Sequence, residues 1–316
     1  MSFFSRESGK ITVYNDGQGI PIEVHPEEGI YVPSLIFGTL LTSSNYDDSE
    51  LKVVGGRNGF GAKLCNIFST EFVVETSSSK LKKRFKQVWL NNMTVMNPPI
   101  VNSDPLAEDY TRITFTPDLG RFNMVALDET ILQLMKKRTV DVAGTLDGVE
   151  VSFNGQSFEI HGFEDYVKLY SDVQMNSLTT SKSVFCYVNP RWKIAVGSSD
   201  FGFEHVSFVN NIATTKGGRH VDYIADQVVS AIKAELIEQN RSYKTIRPSM
   251  IKSRLFLFVN CLIENPSFDS QTKEYLTTPL QKFGSKCVLP HVFASQIVNE
   301  TDVIALILKD INKQNS

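Results

Sequence analysis

Apolar and polar side chains alternate along Lys10-Ile-Thr-Val-Tyr-Asn15, the period-two pattern of a strand with one buried face. It runs into Asp16-Gly-Gln-Gly-Ile-Pro21, where two glycines and a proline force a turn. Residues 31–41 are apolar enough for a buried helix, and Pro33 suits its first turn, where no amide bond is lost. A polar stretch at 42–48 and a glycine-rich one at 55–61 follow. Ala62 to Phe68 then places Leu64, Ile67 and Phe68 on one helical face. Residues 72–75, 85–89 and 112–116 have the β-branched and aromatic content of strands. A helix is expected over 127–142, with Ile131, Leu134, Met135, Arg138 and Val142 on one stripe and Gly144 as its stop. Asn154-Gly155, between runs 149–153 and 156–160, suits a type I′ turn and predicts a hairpin.

A second series of elements begins after residue 160. Strands are expected at 183–188, 192–196 and 205–210. Val221, Ile224, Val228, Ile232 and Leu236 recur at spacings of three and four, which defines a helix over 221–240. Residues 254–263 form a continuous apolar run, and a closing helix spans 301–312. No repeat at solenoid periods is visible. The pattern is that of two α+β units, residues 1–160 and 161–316.

Composition narrows the class. At 41% hydrophobic and 21% charged, with 19 glycines and 12 prolines in 316 residues, the chain is globular rather than disordered or collagenous. Its longest nearly apolar stretch, Leu255 to Ile263, is broken by Asn260 and falls far short of a membrane span of about 20 residues. The N-terminus shows no basic start followed by an apolar run, so a soluble, intracellular chain is expected. Cys65, Cys186, Cys261 and Cys287 form no CxxC pair and read as reduced thiols. With a net charge of −3, any nucleic-acid contact must come from a local patch.

The glycine-rich segments are the first candidates for chemistry. Gly56 and Gly61 have P-loop spacing, but Ala62 and Lys63 follow where Lys and Ser or Thr are required. The Rossmann fingerprint fails at both Gly17-x-Gly19 and Gly59-x-Gly61. What remains is a glycine-rich loop opening a helix near residues 59–62, either a seat for an anion or a flexible connection. Arg57 and Lys63 add cations beside it.

Taken together, three segments carry more. Asn15-Asp-Gly-Gln-Gly-Ile-Pro21, Leu40-Leu-Thr-Ser-Ser-Asn-Tyr-Asp-Asp48 and Gly55-Gly-Arg-Asn-Gly-Phe-Gly-Ala-Lys63 resemble the nucleotide-binding fold of gyrase, the ninety-kilodalton heat-shock chaperone, sensor histidine kinases and mismatch-repair ATPases. Their wording resembles a eukaryotic type IIA DNA topoisomerase. Ser207-Phe-Val-Asn-Asn-Ile-Ala-Thr-Thr-Lys-Gly-Gly-Arg-His-Val-Asp-Tyr223 is similar to that family's transducer, and Asn265-Pro-Ser-Phe-Asp-Ser-Gln-Thr-Lys-Glu274 to its Gln-x-Lys switch loop. The resemblance is continuous from about residue 10 to about 310.

It implies an α+β architecture: an incomplete GHKL (Bergerat) ATP-binding sandwich, 1–160, followed by a ribosomal-protein-S5-like transducer, 161–316. It implies that Asn15 reads adenine, as an amide that both donates and accepts, with Gly17 and Gly19 letting the backbone approach the ring. Ser43, Ser44 and Asn45 would touch ribose and phosphate. Arg57, Asn58, Gly59, Phe60, Gly61 and Lys63 would cradle the phosphates, and Gln271 and Lys273 would reach the terminal one. ATP and Mg²⁺ are the implied cofactors.

The family's general base and Mg²⁺ ligand lie on a Glu-x-x-x-Asn helix ahead of the Asn15 strand. Here Glu7 is followed four residues later by Ile11, so neither is expected within these residues. No Glu-Gly-Asp-Ser-Ala segment or cleavage tyrosine region follows. Alone, the chain is expected to hydrolyse ATP poorly and to cleave no DNA, and part of the pocket face is expected to be exposed. Double-stranded DNA, a second copy of the chain or a full-length topoisomerase are the implied partners, and the nucleus the compartment. A different class of reading is a non-catalytic, truncated paralogue acting as a nucleotide-binding or topoisomerase-interacting module.

Other residues weigh less. Lys80, Lys82, Lys83, Arg84 and Lys86, around Leu81 and Phe85, fit either a DNA backbone contact or the solvated face of an edge strand. Arg241, Lys244, Arg247, Lys252 and Arg254 cluster beside Tyr243, in a region that in the family lines the DNA-passage cavity. His25, His161, His205, His220 and His291 lack metal-ligand spacing. Arg219 and His220 fit work at a domain interface.

Overall fold

The computed structural model describes residues 2–4, 9–40, 42, 50–56, 58–173 and 182–314. Backbone proximity divides the chain into two compact units. Residues 1–48, 56–139 and 150–158 make the first, and 49–55, 140–149 and 159–316 the second. Two short excursions, 49–55 and 140–149, thus group with the C-terminal unit.

In chain order the first unit holds β1 (Ser2–Phe4), β2 (Ile11–Asn15), α1 (Val32–Gly38), α2 (Phe60–Ile67), β3 (Ser69–Ser78), β4 (Lys83–Leu90), β5 (Val95–Met96), β6 (Ile100–Ser103) and β7 (Tyr110–Pro117). After α3 (Glu129–Thr145) come β8 (Ser152–Phe153) and β9 (Gln156–Ser157). Among the described residues these strands form one sheet in the order β5-β4-β3-β7-β2-β1-β8-β9, with β6 also paired to β4. Period-two alternation puts Phe72 and Val74 of β3 and Phe85 and Trp89 of β4 into a buried cluster with Ile22 and Phe37. Helices α1 and α2 cover that face, and Phe37, Ala62 and Cys65 join the cluster. Val13 of β2 pairs with Ile113 on the same side yet is 47% exposed. The hairpin turn forms as its dipeptide requires, with Asn154 and Gly155 both at positive φ (50° and 79°).

Three sequence expectations are corrected here. Leu64, placed with Ile67 and Phe68 on one apolar helical face, is 41% exposed; α2 turns Lys63 (1% exposed) and Asn66 inward instead. Asn66 explains the rotation, because its Nδ2 donates to the Phe37 carbonyl 3.1 Å away at the end of α1. Secondly, the basic run does not mark an edge. β4 is hydrogen-bonded to β3 on one side and to β5 and β6 on the other. Its cations stand on a face, where Arg84 pairs with Asp104 (2.6 Å) and Lys86 with Glu75 (3.6 Å). Thirdly, Gly144 does not stop α3. The helix runs through it to Thr145, and glycine stands there because a Cβ would lie 2.4 Å from the Tyr166 ring.

The second unit adds α4 (Phe163–Val173), β10 (Val184–Asn189), β11 (Trp192–Ser198), β12 (Glu204–Val209), β13 (Ile212–Ala213), β14 (Gly217–Gly218), α5 (Arg219–Gln239) and α6 (Pro248–Lys252). It ends with β15 (Leu255–Cys261), β16 (Tyr275–Leu276), α7 (His291–Glu300) and α8 (Val303–Gln314). The main sheet runs β10-β11-β15-β12-β13, with β15 parallel to β12 and antiparallel to β11. β15 is apolar without alternation because both its faces are covered. Leu255, Leu257, Val259 and Cys261 meet the Val221–Leu236 stripe of α5. On the other face Phe256 and Phe258 pack edge-on against Tyr170 of α4.

Candidate functional site

The turn after β2 is built on the first unit's sheet. Asn15 ends β2 with its side chain exposed, and its Oδ1 accepts the Gly17 N–H at 3.2 Å. The Ile20 N–H donates to Thr76 Oγ1 (3.0 Å), and that buried hydroxyl donates to the Tyr110 carbonyl (3.0 Å), so one threonine of β3 ties the turn to β7. Gly19 has a structural cause of its own, since a Cβ would stand 1.9 Å from the Ser77 carbonyl oxygen. Thr76 was not singled out in the sequence, where a threonine in a β-branched run carries no local signal.

The loop into α2 is the second piece. Gly59 is the N-cap with φ 65°, a left-handed conformation glycine adopts without strain, and it offers no capping side chain. No acidic residue occupies the first turn, so the helix itself supplies no anion to its initial amides and positive end. A Cβ on Gly61 would meet nothing within 4 Å, which leaves the helix entrance open on that side. Phe60 begins the helix, Asn58 precedes its cap, and both are partly buried. Ile20 and Ala62 pack against the same apolar cluster, which brings the Asn15 turn and the α2 entrance onto one core.

Lys63 is buried in that first turn. Its Nζ donates to the Thr42 carbonyl at 2.6 Å, and Thr42 Oγ1 donates in turn to the Thr39 carbonyl (2.9 Å). Burial pushes the ammonium below its ordinary pKa. Among the described residues it has no carboxylate partner. Ser43, Ser44, Asn45 and Arg57, expected in the same set, lie outside the described residues.

Gln271 and Lys273 belong to the second unit. Gln271 is exposed. Lys273 takes φ 59° and donates from Nζ to the Gly55 carbonyl at 2.9 Å, and partial burial lowers its pKa. Their loop is fixed at its base, where β14 pairs in parallel with β16 and Lys216 pairs with Glu274 at 2.8 Å. Asn210 and Asn265, which hold the segment ending at Gly55, were not anticipated. Only the Asn-Asn following a strand and the Asn-Pro opening the switch loop hinted at special backbone there. A groove of about 840 Å³ between α5 and α7 shares no residue with the expected nucleotide set. No group of three or more His, Cys, Asp or Glu able to hold a metal is found among the described residues.

A glycine-opened helix entrance with a buried lysine on a mixed sheet, followed by a sheet-and-helix unit bearing a lysine loop, is the arrangement of an ATPase region joined to a transducer. The comparisons agree. The DNA gyrase B family model matches residues 162–316. DNA topoisomerase 2 top-2 of Caenorhabditis elegans is 51% identical over 324 residues, covering 99% of this chain and 21% of that protein. DNA topoisomerase 2 of Saccharomyces cerevisiae is 44% identical, covering 98% and 22%. Among solved structures, the ATPase region of Saccharomyces cerevisiae topoisomerase II superposes with TM-score 0.88 at 45% identity, covering 98% of this chain and 79% of that one. The ATPase and transducer domains of DNA topoisomerase II from Balamuthia mandrillaris give TM-score 0.90 at 45% identity, covering 100% and 80%. The chain belongs to the eukaryotic type II DNA topoisomerase family and corresponds to its ATPase and transducer region. It spans about a fifth of the length of the curated relatives it matches.

Proposed function

We propose that this chain binds ATP as the nucleotide-binding and transducer portion of an ATP-dependent type II DNA topoisomerase. The observation that carries the reading is Lys63: a buried ammonium with no carboxylate partner among the described residues, one turn inside a helix that has no side-chain cap. Burying a charge is costly unless it is paired, and a cation at the positive end of a helix is doubly unfavourable. A triphosphate at that entrance answers both costs. In this reading Asn15 reads the adenine edge, and Gly17 and Gly19 keep the turn close to the ring. Asn58, Gly59, Phe60 and Gly61 present amides to the phosphates beside Lys63. Ser43, Ser44, Asn45 and Arg57 complete the contacts, and Gln271 and Lys273 read the terminal phosphate from the transducer.

Mg²⁺ would lean chiefly on the phosphate oxygens and water, as nucleotide-bound Mg²⁺ does, and would neutralise phosphate charge there. In the whole enzyme, ATP binding would close a dimer around a DNA duplex in the nucleus. The exposed cations Arg241, Lys244 and Arg247 offer that duplex phosphate contacts that are salt-sensitive and blind to sequence.

Isothermal titration of the chain with a non-hydrolysable ATP analogue tests the reading. The wild type is expected to bind, and Lys63→Met to lose about tenfold or more in affinity, since a charge-assisted hydrogen bond is worth roughly 1.5–3 kcal/mol. Equal affinity in the variant, with its fold intact by circular dichroism, would overturn the placement of the phosphates.

A further inference from the structure

Residues 50–55 lead directly into the glycine-rich loop, and three side chains of the second unit hold their backbone. Asn265 makes a clasp of three bonds: its Oδ1 accepts the Lys52 N–H (3.1 Å), its Nδ2 donates to the Glu50 carbonyl (3.1 Å), and its own N–H donates to the Lys52 carbonyl (2.9 Å). Asn210 Nδ2 donates to the Val54 carbonyl at 3.1 Å, and Lys273 Nζ to the Gly55 carbonyl at 2.9 Å. Asn210 is itself fixed, because its amide exchanges hydrogen bonds with both backbone groups of Ile263 (2.9 and 2.8 Å). Ile212 closes the strap from the side: a Cβ on Gly55 would stand 2.4 Å from its Cδ1.

All three holding residues sit in left-handed backbone, with φ of 50° at Asn210, 41° at Asn265 and 59° at Lys273. Such conformations are uncommon outside glycine, and asparagine tolerates them better than lysine does. Non-glycine residues kept there are over-determined by their surroundings, which is where positioning roles concentrate. Here what the three share is the strap.

We propose that Asn210, Asn265 and Lys273 are positioning residues that fasten segment 50–55 to the transducer. Through the covalent step from Gly55 to Gly56 they set where the phosphate loop begins. The inference rests on the reading that this loop seats a triphosphate. The four bonds from the two asparagines are permanent fasteners, because an amide gains little from exchanging a carbonyl for water. The lysine bond is exchangeable, because a phosphate oxygen is a stronger acceptor for an ammonium than a neutral carbonyl. The same side chain thus marks the end of the strap before nucleotide arrives and reads the nucleotide afterwards.

The test compares Asn265→Gly, which keeps the left-handed turn and deletes the side-chain clasp, with Asn265→Asp, which keeps the acceptor for the Lys52 amide. Hydrogen exchange at the Lys52 amide and titration with the non-hydrolysable ATP analogue are read on the full chain. Exchange at Val259, in the centre of β15, reports that the second unit stays folded. Expected for Asn265→Gly are exchange at Lys52 faster by about tenfold or more, unchanged protection at Val259 and affinity weakened about tenfold. In Asn265→Asp, Lys52 protection and most of the affinity return. A glycine variant with Lys52 freed but wild-type affinity would overturn the positioning role. A wild type that binds no analogue overturns the nucleotide reading separately. The fastening is then decided by Lys52 exchange alone, and unchanged protection there rejects it.

Discussion

His220 follows the two glycines of β14 and is completely buried, with its Nε2 3.0 Å from Thr214 Oγ1. Thr214 Oγ1 also lies 2.6 Å from Ser207 Oγ and 3.0 Å from the Ser207 carbonyl, while the other imidazole nitrogen, Nδ1, is buried without a partner. A second proton would create a buried, unpartnered cation, and burial, with some repulsion from His205, pushes His220 down to about 3. His205, itself lowered by burial and raised slightly by Asp222, acts in the same direction. The consequence for stability has a definite sign. Above about 6.5, His220 is neutral whether the chain is folded or not, and its contribution is complete. Between about 6.5 and about 3 the unfolded chain binds a proton that the folded chain refuses, so stability falls as the pH falls. At about 1.4 kcal/mol per pH unit, the loss across that window is on the order of 5 kcal/mol. Thermal unfolding between about pH 4 and 8 should show this slope in the wild type and a shallower one in His220→Gln, which keeps a hydrogen-bonding group for Thr214 and does not titrate. Parallel slopes would remove His220 as the cause.

What the sequence reveals at this scale depends on whether a residue's role is local. The turn after Asn15 and the helix start at Gly59 are legible because each is defined by neighbours within a few positions. The inward turn of Lys63 depends on Asn66 reaching Phe37, twenty-nine residues earlier in the chain. The roles of Asn210 and Asn265 depend on a strap more than 150 residues away. No window along the chain contains both partners.

Among the elements, α3 shows two effects of opposite sign. Glycine inside a helix costs roughly 1 kcal/mol relative to alanine, so intrinsic propensity predicts that Gly144→Ala stabilises the protein. Packing predicts the reverse, because the new methyl would stand 2.4 Å from a buried Tyr166 ring. That ring cannot retreat easily, since its hydroxyl donates to Asp141 Oδ1 at 2.7 Å and lies 3.0 Å from that of Tyr170. Overpacking typically costs about 1–3 kcal/mol, so packing wins, and Gly144→Ala should lower the urea midpoint. A raised midpoint would mean that the ring moves freely. The same residue shows why a sequence reading ends α3 too early, for a packing glycine and a stop glycine look alike in one dimension. Helices α4 and α7 were missed for a related reason. Each is short, and its anchors (Phe163, Tyr166 and Val167; Phe293, Ala294 and Ile297) span little more than one turn. The stripe of α5, sustained over more than four turns, is unmistakable, and the doubly covered β15 betrays itself by lacking alternation.

On the scale of the whole molecule, the α+β class and the order of nucleotide-type sheet then transducer were legible, because several motifs kept their order and separation. The assignment of residues 49–55 and 140–149 to the second unit was not legible, since it is a property of backbone paths rather than of composition. That assignment matters for function. Gly55 lies in the second unit and Gly56 in the first, and Lys273 holds the carbonyl just before the crossing. A terminal phosphate able to draw that ammonium away would connect nucleotide state to the transducer through a single side chain. The most direct measurement is the affinity of the chain for a non-hydrolysable ATP analogue relative to ADP, in the wild type and in Lys273→Met. The account predicts that the wild type prefers the triphosphate by about tenfold or more and that the variant loses most of that preference, since only the terminal phosphate engages that lysine. A variant that keeps the full preference for the triphosphate would contradict it.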